Sequence, residues 1–185
     1  EFEMHRFDLG TGMVLEKGCV YVVELMETLA LPAGIGAVTN AKSSTGRLDL
    51  LVRVITDGGV EFDRIPAGYT GKLYAEICPR SFSVLARPGM RLNQIRLRQG
   101  QSVLSDSELI ALHAEVPLVT GEALISEGLG FSVDLRPADG DLVGYRAKPH
   151  AGVIDLDRIG VYERAEYWEE LHSANGQLIL DPGAF

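Results

Sequence analysis

Between Met13 and Arg98, short apolar stretches recur roughly every 10–15 residues, and each is closed by a glycine or proline turn. That punctuation leaves no room for long helices and predicts a compact all-β body. Met13-Val14-Leu15 leads through the turn Glu16-Lys17-Gly18 into Cys19–Leu25, where valine and tyrosine favour a pleated strand. Leu31-Pro32-Ala33-Gly34 turns the chain again, and Leu48–Ile55 alternates loosely until Asp57-Gly58-Gly59 stops it. Gly68-Tyr69-Thr70-Gly71 opens Lys72–Cys78, and Arg87-Pro88-Gly89-Met90 opens Arg91–Arg98. In that last stretch Leu92, Ile95 and Leu97 break strict alternation, which leaves a bulge or a buried edge open.

Helix is scarce. Ser105–Leu112 reads as a short turn of helix behind a hydroxyl or carboxylate cap. Tyr162–His172 reads as a longer one, with Tyr167, Trp168 and Leu171 on one face and Asn175-Gly176 as its stop. Leu178–Gly183 echoes Met13–Gly18: an apolar triplet, an acid, one residue and a glycine. The chain opens on Glu1 rather than Met, which reads as a fragment or a processed chain.

Charge is split along the chain. Residues 1–105 carry 12 Lys/Arg against 11 Asp/Glu, whereas residues 106–185 carry 5 against 15. The overall −9 argues against a nucleic-acid coat, yet leaves a compact anion site possible in the first part. No apolar run approaches the ~18 residues of a membrane span. Cys19 and Cys78 are the only cysteines. They form no disulfide framework and fit a reducing cytoplasm, with a single bridge left open.

The densest chemistry lies in Lys42-Ser43-Ser44-Thr45-Gly46-Arg47. Two cations, three hydroxyls and a flexible glycine on one short connection suit a polyanion such as a nucleotide triphosphate, with N–H groups and hydroxyls turned to phosphate oxygens. An ordinary solvated turn has the same composition.

Several segments in order resemble dCTP deaminase, a family of the dUTPase-like β-clip proteins. Lys42–Arg47 resembles its basic-Ser-Ser-x-x-Arg loop; Gly68–Gly71 followed by Tyr74-Ala75-Glu76 resembles its Gly-aromatic-x-Gly turn and the strand bearing its catalytic Glu; Arg87–Met90 resembles its last hairpin turn. Leu15–Gly18, Leu31-Pro32 and Gly36 match in passing, so the likeness covers about residues 12–100. Phe131–Pro137 and Gly152–Leu156 look like opening strands of the same family. With the echo at Leu178, this implies a tandem protein: a β-clip barrel over 1–115, a linker over 116–130, and the opening of a second copy over 131–185.

The resemblance implies hydrolysis of dCTP to dUTP and ammonia. Most nucleobase deaminases activate water on zinc, held in part by a Cys-x-x-Cys pair. This chain has no such pair, and His5, His113, His150 and His172 form no ligand pattern, so no zinc is expected. Glu76, in the mostly apolar stretch Leu73–Ile77, is then the expected proton shuttle, with partial burial raising its pKa into a working range. Carried over from the family, Ser43 holds the attacking water, and Arg47 orients Glu76 and steadies the charged intermediate. Lys42, Ser44, Thr45 and Gly46 contact phosphates bridged by Mg²⁺. The backbones of Tyr74 and Ala75 meet the base edge, and Tyr69 faces the sugar or fills the turn. One departure stands out: the family's sugar-binding Asp aligns with Pro66, and Asp63 stands three positions early. None of the family's C-terminal lid residues is placed. The rival readings are a dUTP diphosphatase and a non-catalytic nucleotide-binding copy. The family also implies a trimer-like homo-oligomer acting on nucleotides, without nucleic-acid or membrane partners.

Overall fold

The computed structural model describes residues 10–100 and 103–180. It is mainly β. The strands are β1 (Met13–Leu15), β2 (Tyr21–Ala30), β3 (Ile35–Ala41), β4 (Leu50–Thr56), β5 (Arg64–Ile65), β6 (Thr70–Pro79), β7 (Val84–Ala86), β8 (Asn93–Gln99), β9 (Leu142–Ala147), β10 (Ile154–Asp155) and β11 (Trp168–His172). Three helices interrupt them: α1 (Ser43–Gly46), α2 (Asp106–Glu115) and α3 (Arg164–Tyr167).

The strands sort into four small sheets, in the orders β2-β6-β4, β5-β3-β8, β1-β7-β10 and β11-β9. β6 is the middle of the first, antiparallel to both neighbours, and strict alternation divides its side chains. Leu73, Ala75 and Ile77 are buried, and Val52 and Val54 of β4 join them on that inner face. Lys72, Tyr74 and Glu76 point the other way. The inner face packs on Leu15, Leu50, Phe82, Val84 and Ala86, and a smaller cluster of Ala37, Val54, Ile65 and Leu73 joins the second sheet to it.

Gly71 shows how tightly one turn is built. A Cβ there would lie 2.8 Å from the Tyr69 hydroxyl and 3.1 Å from Cζ. That hydroxyl is already fixed: it donates to the Lys72 carbonyl and accepts from the Asp57 N–H at 3.1 Å.

The structure corrects several expectations. Tyr162–His172 holds only one helical turn, α3, before the chain extends into β11, which pairs with β9. Ladder pairing and the burial of Tyr167 against Phe82 outweigh local helical spacing here. β8 carries no bulge; it pairs with β3 in unbroken register from Ile35–Gln99 to Ala41–Asn93. Ile95 and Leu97 are simply exposed at the sheet margin. Register shifts occur instead in β2, between Glu24 and Thr28, and in β11, between Leu171 and His172. Residues 131–137 form no strand, and Phe131 and Val133 stay exposed because no neighbouring ladder receives them. Leu178–Leu180 likewise form none, and the rest of the echo, residues 181–183, lies outside the described residues. Ile154, read as part of a second copy, instead pairs in parallel with Val84 and sits in the main core with Tyr167. Arg87, in the hairpin turn, clasps Asp155 with two hydrogen bonds of 2.7 and 2.8 Å and reaches Asp157 at 2.9 Å.

The helix expected at Ser105 is present as α2, with a full capping box: the Glu108 N–H donates to Ser105 Oγ, and the Ser105 N–H donates to the Glu108 carboxylate. Cys19 is exposed, Cys78 is buried, and both are free thiols.

Candidate active site

Glu76 stands at the centre of the outer face of β6. Its ladder partners are Val22 on one side and Arg53 on the other. Arg53 donates twice to the same carboxylate oxygen, Nε to Oε1 at 3.0 Å and Nη2 to Oε1 at 2.5 Å. The Glu76 side chain is 17% exposed, and Oε2 accepts no hydrogen bond from the described residues. One oxygen is therefore held and the other is open. The environment differs from the apolar one expected from the strand: a guanidinium, not hydrocarbon, flanks the acid. The ring of Phe62 covers that guanidinium, with Arg53 Cζ 3.7 Å from the ring centroid.

The outer face around this pair is uncovered. Val22 is 62% exposed, and Leu51 is also open to solvent. Lys72 and Glu24 pair across the face at 2.7 Å, and that carboxylate raises the lysine pKa above its ordinary value.

The Lys42–Arg47 loop begins where β3 ends. Lys42 is anchored by its N–H to the Leu92 carbonyl, and its own carbonyl accepts from Thr45 and Gly46, which winds the single turn α1. Lys42, Ser43, Ser44, Gly46 and Arg47 are exposed. Thr45 is not: it is 3% exposed and turned inward. Within one chain Arg47 forms no ion pair with Glu76; Arg53 pairs with that carboxylate. Leu50, the first residue of β4, pairs with Pro79 while Arg53 pairs with Glu76. Three strand residues span about 10 Å, so loop and carboxylate lie well apart along one chain.

Tyr74 and Ala75 have paired strands on both sides: Glu24 and Ile55 flank the first, Val23 and Val54 the second. On the β2 side the ladder is interrupted just past Tyr74, where the register shifts between Glu24 and Thr28. Tyr69, with its hydroxyl tied to backbone, closes the turn and packs on the smaller core cluster. Asp63 accepts at one oxygen from Thr39 Oγ1 at 2.7 Å and the Val54 N–H at 2.9 Å, which stitches β3 to β4. It serves the fold, and Pro66 brings no acid in its stead.

Sequence reasoning missed Arg53 and Phe62 as site residues. Alternation in Leu51-Val52-Arg53-Val54 puts Arg53 on an outer face, but only the register against β6 brings it to Glu76.

The fold and the paired features define a mainly β protein with a carboxylate strand and a separate hydroxyl-rich, cationic loop. Residues 1–101 match the model of the 2'-deoxycytidine 5'-triphosphate deaminase N-terminal domain, and residues 105–185 match that of the C-terminal domain. The chain belongs to the 2'-deoxycytidine 5'-triphosphate deaminase family. The crystal structure of 2'-deoxycytidine 5'-triphosphate deaminase from Agrobacterium tumefaciens is 48% identical and superposes with a TM-score of 0.87, over 97% of this chain and 55% of that one. The chain thus spans about half the length of that protein. No curated protein matches it.

Proposed function

We propose that the protein hydrolyses dCTP to dUTP and ammonia, with Glu76 as the general base and acid. The observation that carries this reading is Glu76 itself: one carboxylate oxygen fixed by Arg53, the other open, on an uncovered face in the strand that matches the family motif. Oε2 takes a proton from water as the oxygen adds to C4 of the base and passes it to N3, which returns Glu76 to the carboxylate. Glu76 then moves the hydroxyl proton to the amine, the C4–N bond breaks, ammonia leaves and the C4 carbonyl forms. Ser43 holds the water, and Arg47 steadies the charge that develops. Lys42, Ser44 and Gly46 meet the triphosphate, with Tyr69 beside the sugar. Mg²⁺ rides on the triphosphate oxygens; among the described residues no three His, Cys, Asp or Glu side chains converge.

The offset of about 10 Å along the sheet between Leu50, just after the loop, and the Arg53–Glu76 pair supports a site completed by the loop of a neighbouring protomer, in a trimer-like homo-oligomer. Exposed Val22 and Leu51 around Glu76 support the same arrangement. A net charge of −9 favours a free nucleotide over nucleic acid as the ligand. No helix of the described residues is long and apolar enough to cross a membrane, and two free thiols fit a cytoplasmic setting.

The test is direct. The full-length protein is incubated with dCTP and, separately, with dUTP. Ammonia from dCTP supports deamination; pyrophosphate from dUTP without ammonia from dCTP assigns a diphosphatase. Glu76→Gln is expected to lower turnover by on the order of 10²-fold or more while nucleotide binding survives. Unchanged turnover in that variant makes this copy a non-catalytic nucleotide binder.

A further inference from the structure

We infer that Arg53 is a positioning residue for Glu76 and that Phe62 sets its place, an arrangement that ties proton transfer to the loop between β4 and β5. The inference rests on the deaminase reading of Glu76. Three contacts carry it. Arg53 meets Oε1 alone, through both Nε and Nη2. This fixes the carboxylate's rotation and leaves Oε2 as the oxygen that can face a water. Phe62 places its ring over the guanidinium, with Cζ 3.7 Å from the centroid, which restricts how Arg53 can move as it donates. The loop holding Phe62 is itself pinned by the neighbouring Asp63, whose carboxylate binds Thr39 and Val54 and whose own N–H donates to the Val54 carbonyl.

Arg53 and Glu76 also face each other across a ladder whose register is unbroken from Leu50–Pro79 to Thr56–Leu73. The pair therefore sits on a regularly paired stretch of the sheet, and a guanidinium held there suits orientation better than a flexible ammonium does. Pro66 follows β5 and brings no acid; the loop between β4 and β5 spans residues 57–63. What it offers the outer face is Phe62.

The experiment measures ammonia release from dCTP by the full-length protein and its Arg53→Met, Arg53→Lys, Arg53→Ala and Phe62→Leu variants, with dCTP binding and thermal midpoint recorded for each. Arg53→Met is expected to lower kcat by on the order of 10²-fold, the loss typical of a misplaced reacting group. KM, dCTP binding and the thermal midpoint should stay near the parent values. Arg53→Lys recovers part of kcat, Phe62→Leu loses only a few-fold, and millimolar guanidinium raises kcat of Arg53→Ala with saturation. Parental kcat in Arg53→Met overturns the inference while deamination stands. A loss matched by weaker binding or a lower midpoint, with no rescue by guanidinium, also overturns it. Failure of the unmodified protein to release ammonia removes the deaminase reading first, and this inference with it.

Discussion

Phe82 tests whether the two family domains of this chain share one core. The residue lies just after β6, is 1% exposed, and meets two rings from the far half of the sequence. Its centroid is 5.6 Å from that of Tyr167 and 5.1 Å from that of Trp168, both nearly edge-on. Truncation to alanine removes a fully buried ring and both aromatic contacts, a cost of about 3–5 kcal/mol. With a urea slope of about 2 kcal/mol/M for a domain of this size, the midpoint should fall by roughly 2 M. Phe82→Leu keeps most of the volume and loses mainly the ring–ring geometry, about 1–2 kcal/mol, and serves if the alanine variant does not fold. Trp168 is the only tryptophan in the chain, so its fluorescence reports the 105–185 half while far-UV circular dichroism reports the whole. One shared core predicts coincident transitions by the two probes and an equal shift in both for each variant. A fluorescence transition that precedes the dichroism change in the parent, or stays in place when Phe82 is cut to alanine, refutes the shared core.

The remaining predictions concern the ties around that core. The Arg87 guanidinium holds the Asp155 carboxyl at about 2, below its ordinary value of 3.8. Because the folded-state pKa is depressed, the stabilisation is complete above about pH 4 and is lost as pH falls toward about 2; the stability gap between the parent and Asp155→Asn should be constant at neutral pH and close over that acid window in urea titrations. Gly71→Ala sets a methyl against the Tyr69 ring and should cost about 1–3 kcal/mol by thermal denaturation; a neutral result would show that Tyr69 moves freely. Ser105→Ala removes the cap of a helix with no buried residue, so amide exchange at Glu108 and Leu109 should speed up roughly five-fold with the global midpoint unchanged.

Much of the first hundred residues was legible because turns are local chemistry. Gly18, Gly58, Gly68 and Gly89 all have positive φ, and each falls in a turn read from the sequence. Strand positions followed from those boundaries, and the Ser105 cap was readable for the same reason. Beyond residue 130 the signals became non-local. Tyr167, Trp168 and Leu171 have helical spacing, but Phe82 and β9 decide their conformation, and neither is near them in sequence. Phe131 and Val133 alternate like a strand that finds no partner. Thr45 reads as one more polar residue of an exposed loop, yet it is buried in the single turn of α1, which the local sequence does not signal.

The site divides along the same line. Glu76 was identifiable because its segment resembles the family's Glu-bearing strand; its apolar neighbours alone fit a solvent-facing strand Glu equally well, and alternation then fixes its face. Its cation was not, because alternation assigns a face but never a neighbour. The first part of the chain offers several arginines, and a slip of one residue between β4 and β6 would present Val52 or Val54 to Glu76 in place of Arg53. Motif order pointed to Arg47 because it stands in the same loop as the serines. Within one chain the register instead supplies Arg53, which leaves Arg47 unpaired at the surface with Lys42 and the two serines. On the proposed reading two guanidiniums divide the work expected of one: Arg53 holds Glu76 from within the sheet, and Arg47, exposed beside Lys42 and the two serines, meets a nucleotide seated on another protomer's Glu76.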